Sequence, residues 1–120
     1  MQLKLSNRSV SGIRVIDCNG RIVFGEEAAA LRETVRDMLP QSPKMVLNLK
    51  NVTYIDSGGL GTLVGLYTSA HSSGGEIKLA NLTPRVGQLL QVTKLVTVFD
   101  VYDTEDDAVW AFTKSAAKAS

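Results

Sequence analysis

The 120 residues carry 13 Lys and Arg against 12 Asp and Glu, for a formal net charge of +1, with 44% hydrophobic and 21% charged residues. That balance is ordinary for a globular protein and supplies no basic field for nucleic acid or anionic lipid. No apolar run approaches ~18 residues, so no membrane insertion is expected, and the first residues, Met1-Gln2-Leu3-Lys4-Leu5, lack the long apolar core of a signal peptide.

In chain order, Leu3, Leu5 and Val10 predict a first strand, and Ser11-Gly12 a turn. Ile13, Val15, Ile22 and Val23 mark a second strand, bent or bulged around Cys18-Asn19-Gly20 and antiparallel to the first. Glu26 to Leu39 reads as a helix with Ala28, Leu31, Val35 and Met38 inward, two glutamates in its first turn, and Pro40 and Pro43 beyond its end. Met45 to Leu49 is a short apolar strand covered on both faces, followed by a short loop. A second helix is expected over Ser57 to Ser72, with the stripe Leu60, Leu63, Val64 and Tyr67. Gly61 and Gly65 are expected to let it lie close to the sheet or a neighbouring helix, and Gly74-Gly75 stops it. Ile77 to Ala80 is a strand, and Thr83-Pro84 opens a third helix with Val86, Leu89 and Leu90 inward. Val96 to Val101 reads as the last strand. Thr104-Glu105-Asp106-Asp107 resembles a capping box before a last helix with Ala108, Ala111 and Phe112 inward, and Ser115 to Ser120 is expected to fray. The alternation predicts an α/β fold: an initial antiparallel hairpin, then alternating strands and helices in a mixed sheet flanked by about four helices. Neither repeat nor linker interrupts it, so one domain over residues 1–120 is expected, with an ordered core of about 2–114.

Metal and catalytic chemistry find little support. His71 and Cys18 are the sole histidine and cysteine and have no ligand spacing between them. His71 falls on the polar end of the second helix, and Cys18 reads as a small buried or edge residue that cannot form an internal disulfide, which fits a reducing, cytoplasmic setting. Asp17, Asp56 and Asp106-Asp107 are too scattered to act as paired carboxylates. No histidine near Ser57 makes it a nucleophile, and Gly58-Gly59-Leu60-Gly61 lacks the Lys-Ser/Thr of a phosphate-binding loop. No catalytic residue, metal ligand or cofactor is therefore expected.

The segment that carries chemistry is Asp56-Ser57-Gly58-Gly59-Leu60-Gly61. Asp56 and Ser57 are both good N-cap residues, and the glycines leave the first helical turn bare. Unpaired N–H groups and the helix dipole favour an anion there, so a phosphate on Ser57 would be tolerated. On spacing alone the segment is either a capped helix packed closely through its glycines or a phosphorylatable docking surface. Asp56 either caps the helix or also orients the Ser57 hydroxyl. Phe24 is either an exposed anchor beside the helix start or a plug under the first helix.

Tyr54-Ile55-Asp56-Ser57-Gly58-Gly59-Leu60-Gly61 resembles the signature of STAS domains, in particular the bacterial anti-sigma factor antagonists. Gly20-Arg21-Ile22-Val23, Gly74-Gly75-Glu76-Ile77-Lys78-Leu79, Leu95-Val96-Thr97-Val98-Phe99 and Asp106-Asp107-Ala108 extend the likeness over nearly the whole chain. The resemblance implies a non-enzymatic regulatory protein. It would bind an anti-sigma factor that is also a serine kinase and be switched off by phosphorylation of Ser57; a serine phosphatase would reset it. The implied partner surface comprises Phe24, Gly25, Asp56, Ser57, Gly58, Gly59, Leu60, Gly61 and Thr62. The family also contains stand-alone subunits of lipid-transporting ATPases, which leaves a permanently docked transport subunit as the alternative. Two positions depart from the antagonist pattern: Gly58 stands where many members have Ser or Thr, and Val23-Phe24 where an acid is common, with Glu26 the nearest acid.

Overall fold

The computed structural model describes residues 2–119, with side chains through residue 114. Five strands form one sheet in the order β1-β2-β3-β4-β5: β1 (Leu3–Val10), β2 (Ile13–Ile22), β3 (Lys44–Ile55), β4 (Glu76–Ala80) and β5 (Asp100–Tyr102). β1 and β2 are antiparallel and every later pairing is parallel. The hairpin turn places Ser11 and Gly12 at φ 53° and 81°, the left-handed pair that suits the twist of two-residue hairpins. Four helices connect or follow the parallel strands: α1 (Glu26–Met38), α2 (Ser57–Ser72), α3 (Pro84–Val92) and α4 (Glu105–Ala119). This is the expected mixed α/β architecture.

The two faces of the sheet differ in thickness of cover. One carries α1, α2 and α3 over the main core, where Leu31, Leu47, Leu63, Leu66 and Leu90 are fully or almost fully buried. The other carries α4 over a smaller cluster of Ile13, Val15, Val46, Ala80, Ala108, Val109 and Phe112. Met45 and Leu47 belong to the first cluster and Val46 to the second, so β3 is covered on both faces at its start. Each fully buried aliphatic side chain contributes about 1.5–3 kcal/mol. Polar ties fasten α4 across the hairpin: Arg8 donates to Asp17 (2.8 and 2.9 Å) and to Glu105. Lys78, only 6% exposed, pairs with Glu76 and Asp100 and lies 4.7 Å from the centroid of Phe112. Burial opposes the charge on Lys78, but the two carboxylates outweigh it and hold the ammonium above its ordinary pKa.

Three expectations are corrected. β3 runs on to Ile55 with no loop after Leu49, because Asn51, Val52, Tyr54 and Ile55 pair with the far half of β2, past two register shifts whose extra residues lie on β3: Leu49 and Lys50 stand opposite Cys18, and Thr53 falls between the pairs Gly20–Val52 and Arg21–Tyr54. The stretch expected as strand Val96–Val101 begins as a 3-10 turn, Leu95–Thr97, and only Asp100–Tyr102 pairs with β4. Lys94 at φ 62° curls the chain, and Phe99 then packs edge-on against Tyr67 (5.6 Å, 82°); this packing overrides the β-propensity of the run. Gly61 and Gly65 do not mediate close packing: a Cβ built on either meets nothing within 4 Å. α4 is assigned as far as Ala119, and Ser120 lies outside the described residues.

Candidate functional site

β3 delivers the chain directly into α2. Ile55 is buried at the strand end, Asp56 is extended (φ −94°, ψ −179°), and Ser57 is the first helical residue. Asp56 Oδ1 accepts from the Gly59 N–H at 2.7 Å, so it is the N-cap of α2. The same carboxylate reaches out of its own helix: the Phe24 N–H donates to both Oδ1 and Oδ2 at 3.1 Å. These backbone donors, Gly59 first and Phe24 second, hold the Asp56 carboxyl below the usual carboxylate range. The acid therefore caps α2 and clamps the β2–α1 loop. It does not orient the serine, whose exposed hydroxyl has no hydrogen-bond partner among the described residues.

The clamp explains the glycines that follow. A Cβ at Gly58 would sit 2.6 Å from the Cβ of Phe24, and one at Gly59 would sit 1.9 Å from the carbonyl oxygen of Ile22. Real Cβ atoms do not approach backbone so closely, so α2 is seated against the end of β2 and the following loop through these two positions. Asp56 N–H completes the junction by donating to Ile22 O at 3.3 Å. The departure at Gly58 thus has a steric reason: the loop lies too near to leave room for a serine or threonine side chain. Phe24, pinned by its backbone and followed by Gly25 at φ 109°, projects its ring into solvent at 81% exposure. It is exposed and does not plug the core, and it stands where the antagonist pattern favours an acid.

Of the residues expected at the surface, Phe24, Gly25, Ser57 and Gly61 are exposed, while Asp56, Gly58 and Thr62 are half-buried. Gly59 and Leu60 are buried and support the surface from beneath. Thr62 turns its hydroxyl back to Gly58 O at 3.0 Å. Two hollows flank the serine. Between α1 and α2 a groove of about 510 Å³ is lined by Phe24, Arg32, Arg36, Gly61, Thr62 and Gly65 among others. Between α2 and α3 a cavity of about 490 Å³ is lined by Tyr54, Asp56, Ser57, Arg85, Leu89 and Val92 among others. The sequence reading missed the second hollow because it placed Tyr54 in a loop. The remaining candidates keep apart from the site. His71 is exposed at the far end of α2. Cys18 is a buried residue of β2, with its thiol pushed up to about 12 by desolvation and then by Asp17. Among the described residues no cluster of three or more His, Cys, Asp and Glu side chains could hold a metal ion.

The site is thus a free serine hydroxyl at the head of a helix, between two surface hollows on a mixed α/β scaffold. The STAS domain model matches residues 4–108, and the chain belongs to that family. It is 36% identical over 69 residues to the anti-sigma F factor antagonist of Paenibacillus polymyxa, covering 58% of this chain and 59% of that one. It is 36% identical over 74 residues to the anti-sigma-B factor antagonist of Bacillus subtilis (strain 168), covering 62% and 68%. The match thus spans less than two thirds of the first relative. The crystal structure of the Thermotoga maritima protein TM1081 superimposes with a TM-score of 0.80 at 29% identity, over 88% of this chain and 91% of that one. No helix among the described residues is long and apolar enough to cross a membrane.

Proposed function

We propose that this chain is an anti-sigma factor antagonist, a cytoplasmic binding protein whose docking surface is the head of α2 and whose switch is phosphorylation of Ser57. The observation that carries the reading is the state of that serine: exposed, unpartnered, first in its helix, and surrounded by Phe24 and the open glycine face of Gly61 and Gly65. The partner is an anti-sigma factor with serine kinase activity. Phe24 enters it as an apolar anchor, and the bare backbone at Gly61 admits close approach. In the switching step the Ser57 oxygen attacks the γ-phosphorus of ATP held by the kinase. The bond from that phosphorus to the β–γ bridging oxygen breaks, ADP leaves, and the hydroxyl proton passes to the kinase or to water. The phosphoserine adds about −1.5 to −2 charge where the partner had met neutral backbone. A phosphatase restores the hydroxyl by hydrolysis.

The test is calorimetry of the chain against its cognate anti-sigma factor with and without ATP, together with intact mass from the native host. Binding without ATP, loss of binding with ATP, and a phosphate-sized mass increase confined to Ser57 are expected. Binding that ignores ATP, with no added mass and co-purification of a membrane ATPase, would replace this reading with that of a transport-complex subunit.

A further inference from the structure

The cavity between α2 and α3 is lined by one cation, Arg85, and one acid, Asp56. Arg85, in the first turn of α3, places its guanidinium carbon 5.1 Å from the centroid of the Tyr54 ring, and Arg21 places its own 6.0 Å from the same centroid. Two guanidinium groups therefore share one aromatic ring. Among the described residues Arg85 has neither a hydrogen bond nor an ion pair, so its N–H donors are unspent. The ring contact restrains the side chain without consuming those donors, because cation–π attraction acts through charge. Asp56 is the one carboxylate lining this cavity, and both of its oxygens already accept from the N–H groups of Gly59 and Phe24. Ser57 lines the same cavity from α2, and its hydroxyl is free.

We propose that Arg85 is the intramolecular receptor of the phosphate on Ser57, forming a guanidinium–phosphate pair across the α2/α3 cavity. The proposal rests on the phosphorylation reading above and adds to it a residue and a direction. Guanidinium presents a planar fork of donors that matches phosphate oxygens two at a time, and a group already restrained over Tyr54 loses less freedom on pairing than a free side chain. Arg21 shares the Tyr54 ring but does not line the cavity, and Arg32 and Arg36 line the α1/α2 groove beside Phe24, which Ser57 does not line. The phosphate is thus drawn toward α3 and away from Phe24. Phosphorylation then ties α2 to α3 while the α1/α2 groove keeps its shape. The partner loses its fit through charge at the serine and not through collapse of the groove.

The experiment uses the full chain with phosphoserine placed at residue 57 during translation, so that no kinase is involved. The ³¹P resonance of wild type, Arg85→Gln and Arg32→Gln is titrated in low and high salt, and the thermal midpoint of each variant is recorded with and without the phosphate. In wild type the second phosphate ionisation is expected below its ordinary value near 6, and it returns toward that value in Arg85→Gln but not in Arg32→Gln. The phosphate is expected to lower the midpoint less in wild type than in Arg85→Gln. Equal titration in wild type and Arg85→Gln, or an equal response to the two arginine substitutions, overturns the pair. The ATP and mass measurements decide the switch independently, since they detect whether Ser57 is modified and not what its phosphate touches.

Discussion

Two alanine substitutions two residues apart on the same helix should move stability in opposite directions. At Gly59 a Cβ would lie 1.9 Å from the Ile22 oxygen and 2.7 Å from the Ile22 carbonyl carbon, both backbone atoms that no rotamer change can move. Relief requires α2 to withdraw by more than an ångström from the end of β2, which strains the Asp56–Ile22 and Asp56–Phe24 hydrogen bonds. Overpacking of this kind costs about 1–3 kcal/mol, and rigid backbone on one side places Gly59→Ala at the upper end. Alanine gains up to ~1 kcal/mol of helix propensity, which leaves a net loss of about 2 kcal/mol. For 120 residues the unfolding entropy makes 1 kcal/mol worth roughly 4 °C, so Tm should fall by about 8 °C. The Gly61 site has nothing within 4 Å of a built Cβ. There the propensity gain stands alone, and Gly61→Ala should raise Tm by up to about 4 °C. Calorimetric or circular-dichroism melts of the two variants beside wild type measure both signs. If Gly59→Ala melts at or above wild type, α2 does not seat on Ile22 as described, and the reason given for the paired glycines is wrong.

Phe24→Ala should change stability by no more than about 0.5 kcal/mol, since the ring is exposed, yet weaken anti-sigma factor binding about tenfold or more in calorimetry. Gly61→Val should likewise fold and fail to dock, which a pull-down beside a thermal melt will show. Asp17→Asn tests the acid limb of stability. The carboxyl is held below the ordinary aspartate range first by the Arg8 guanidinium and also by Asn48, against the effect of burial. Its contribution is therefore present above the unfolded aspartate value of about 3.9 and is lost as pH falls through the lower folded value. With solvent screening it amounts to about 1 kcal/mol or less, so variant and wild type should differ at pH 7 and converge near pH 2. Ser57→Ala should keep partner binding and become insensitive to ATP, and Ser57→Asp should weaken binding with an unchanged melt; isothermal titration with and without ATP reads both.

The elements whose burial is periodic were legible in the sequence. Ala28, Leu31 and Val35 on α1, and Leu60 and Leu63 on α2, are inward as their spacing predicts, and Thr83 and Thr104 accept the capping N–H groups of Val86 and Asp107. The segments set by long-range pairing were less legible. The far half of β3 reads as polar because only Val52 and Ile55 of residues 51–55 are buried, and its strand character comes from β2 thirty residues away. Leu95 to Phe99 has strong β-propensity but is curled by a left-handed lysine and by the demand of Tyr67 for a partner. At the site, Asp56 and Ser57 were legible because caps are local. The contact of Phe24 with Gly58 and the approach of Arg85 to Tyr54 join residues about 30 apart, which no local pattern encodes.

The division of labour among the glycines bears directly on how α2 works. Gly58 and Gly59 are explained from inside the molecule, since a side chain at either would collide with Phe24 or Ile22. Gly61 and Gly65 have no such explanation: each sits in a helix interior facing open space, where glycine costs about 1 kcal/mol relative to alanine. Roughly 2 kcal/mol is a large fraction of a small protein's net stability. Under the proposed docking role that cost has a use: one turn and two turns from Ser57, on the side of the exposed Phe24, the helix backbone is left open to another surface. The acid that could have held the serine hydroxyl is spent on the cap and the loop, which leaves the hydroxyl free. The side-chain and close-packing ties near Ser57 run through Asp56, Gly58 and Gly59, and among the described residues none runs through the serine hydroxyl. On the proposed switch, a charge added to Ser57 changes what docks there while the sheet, the cap and the core beneath remain as they are.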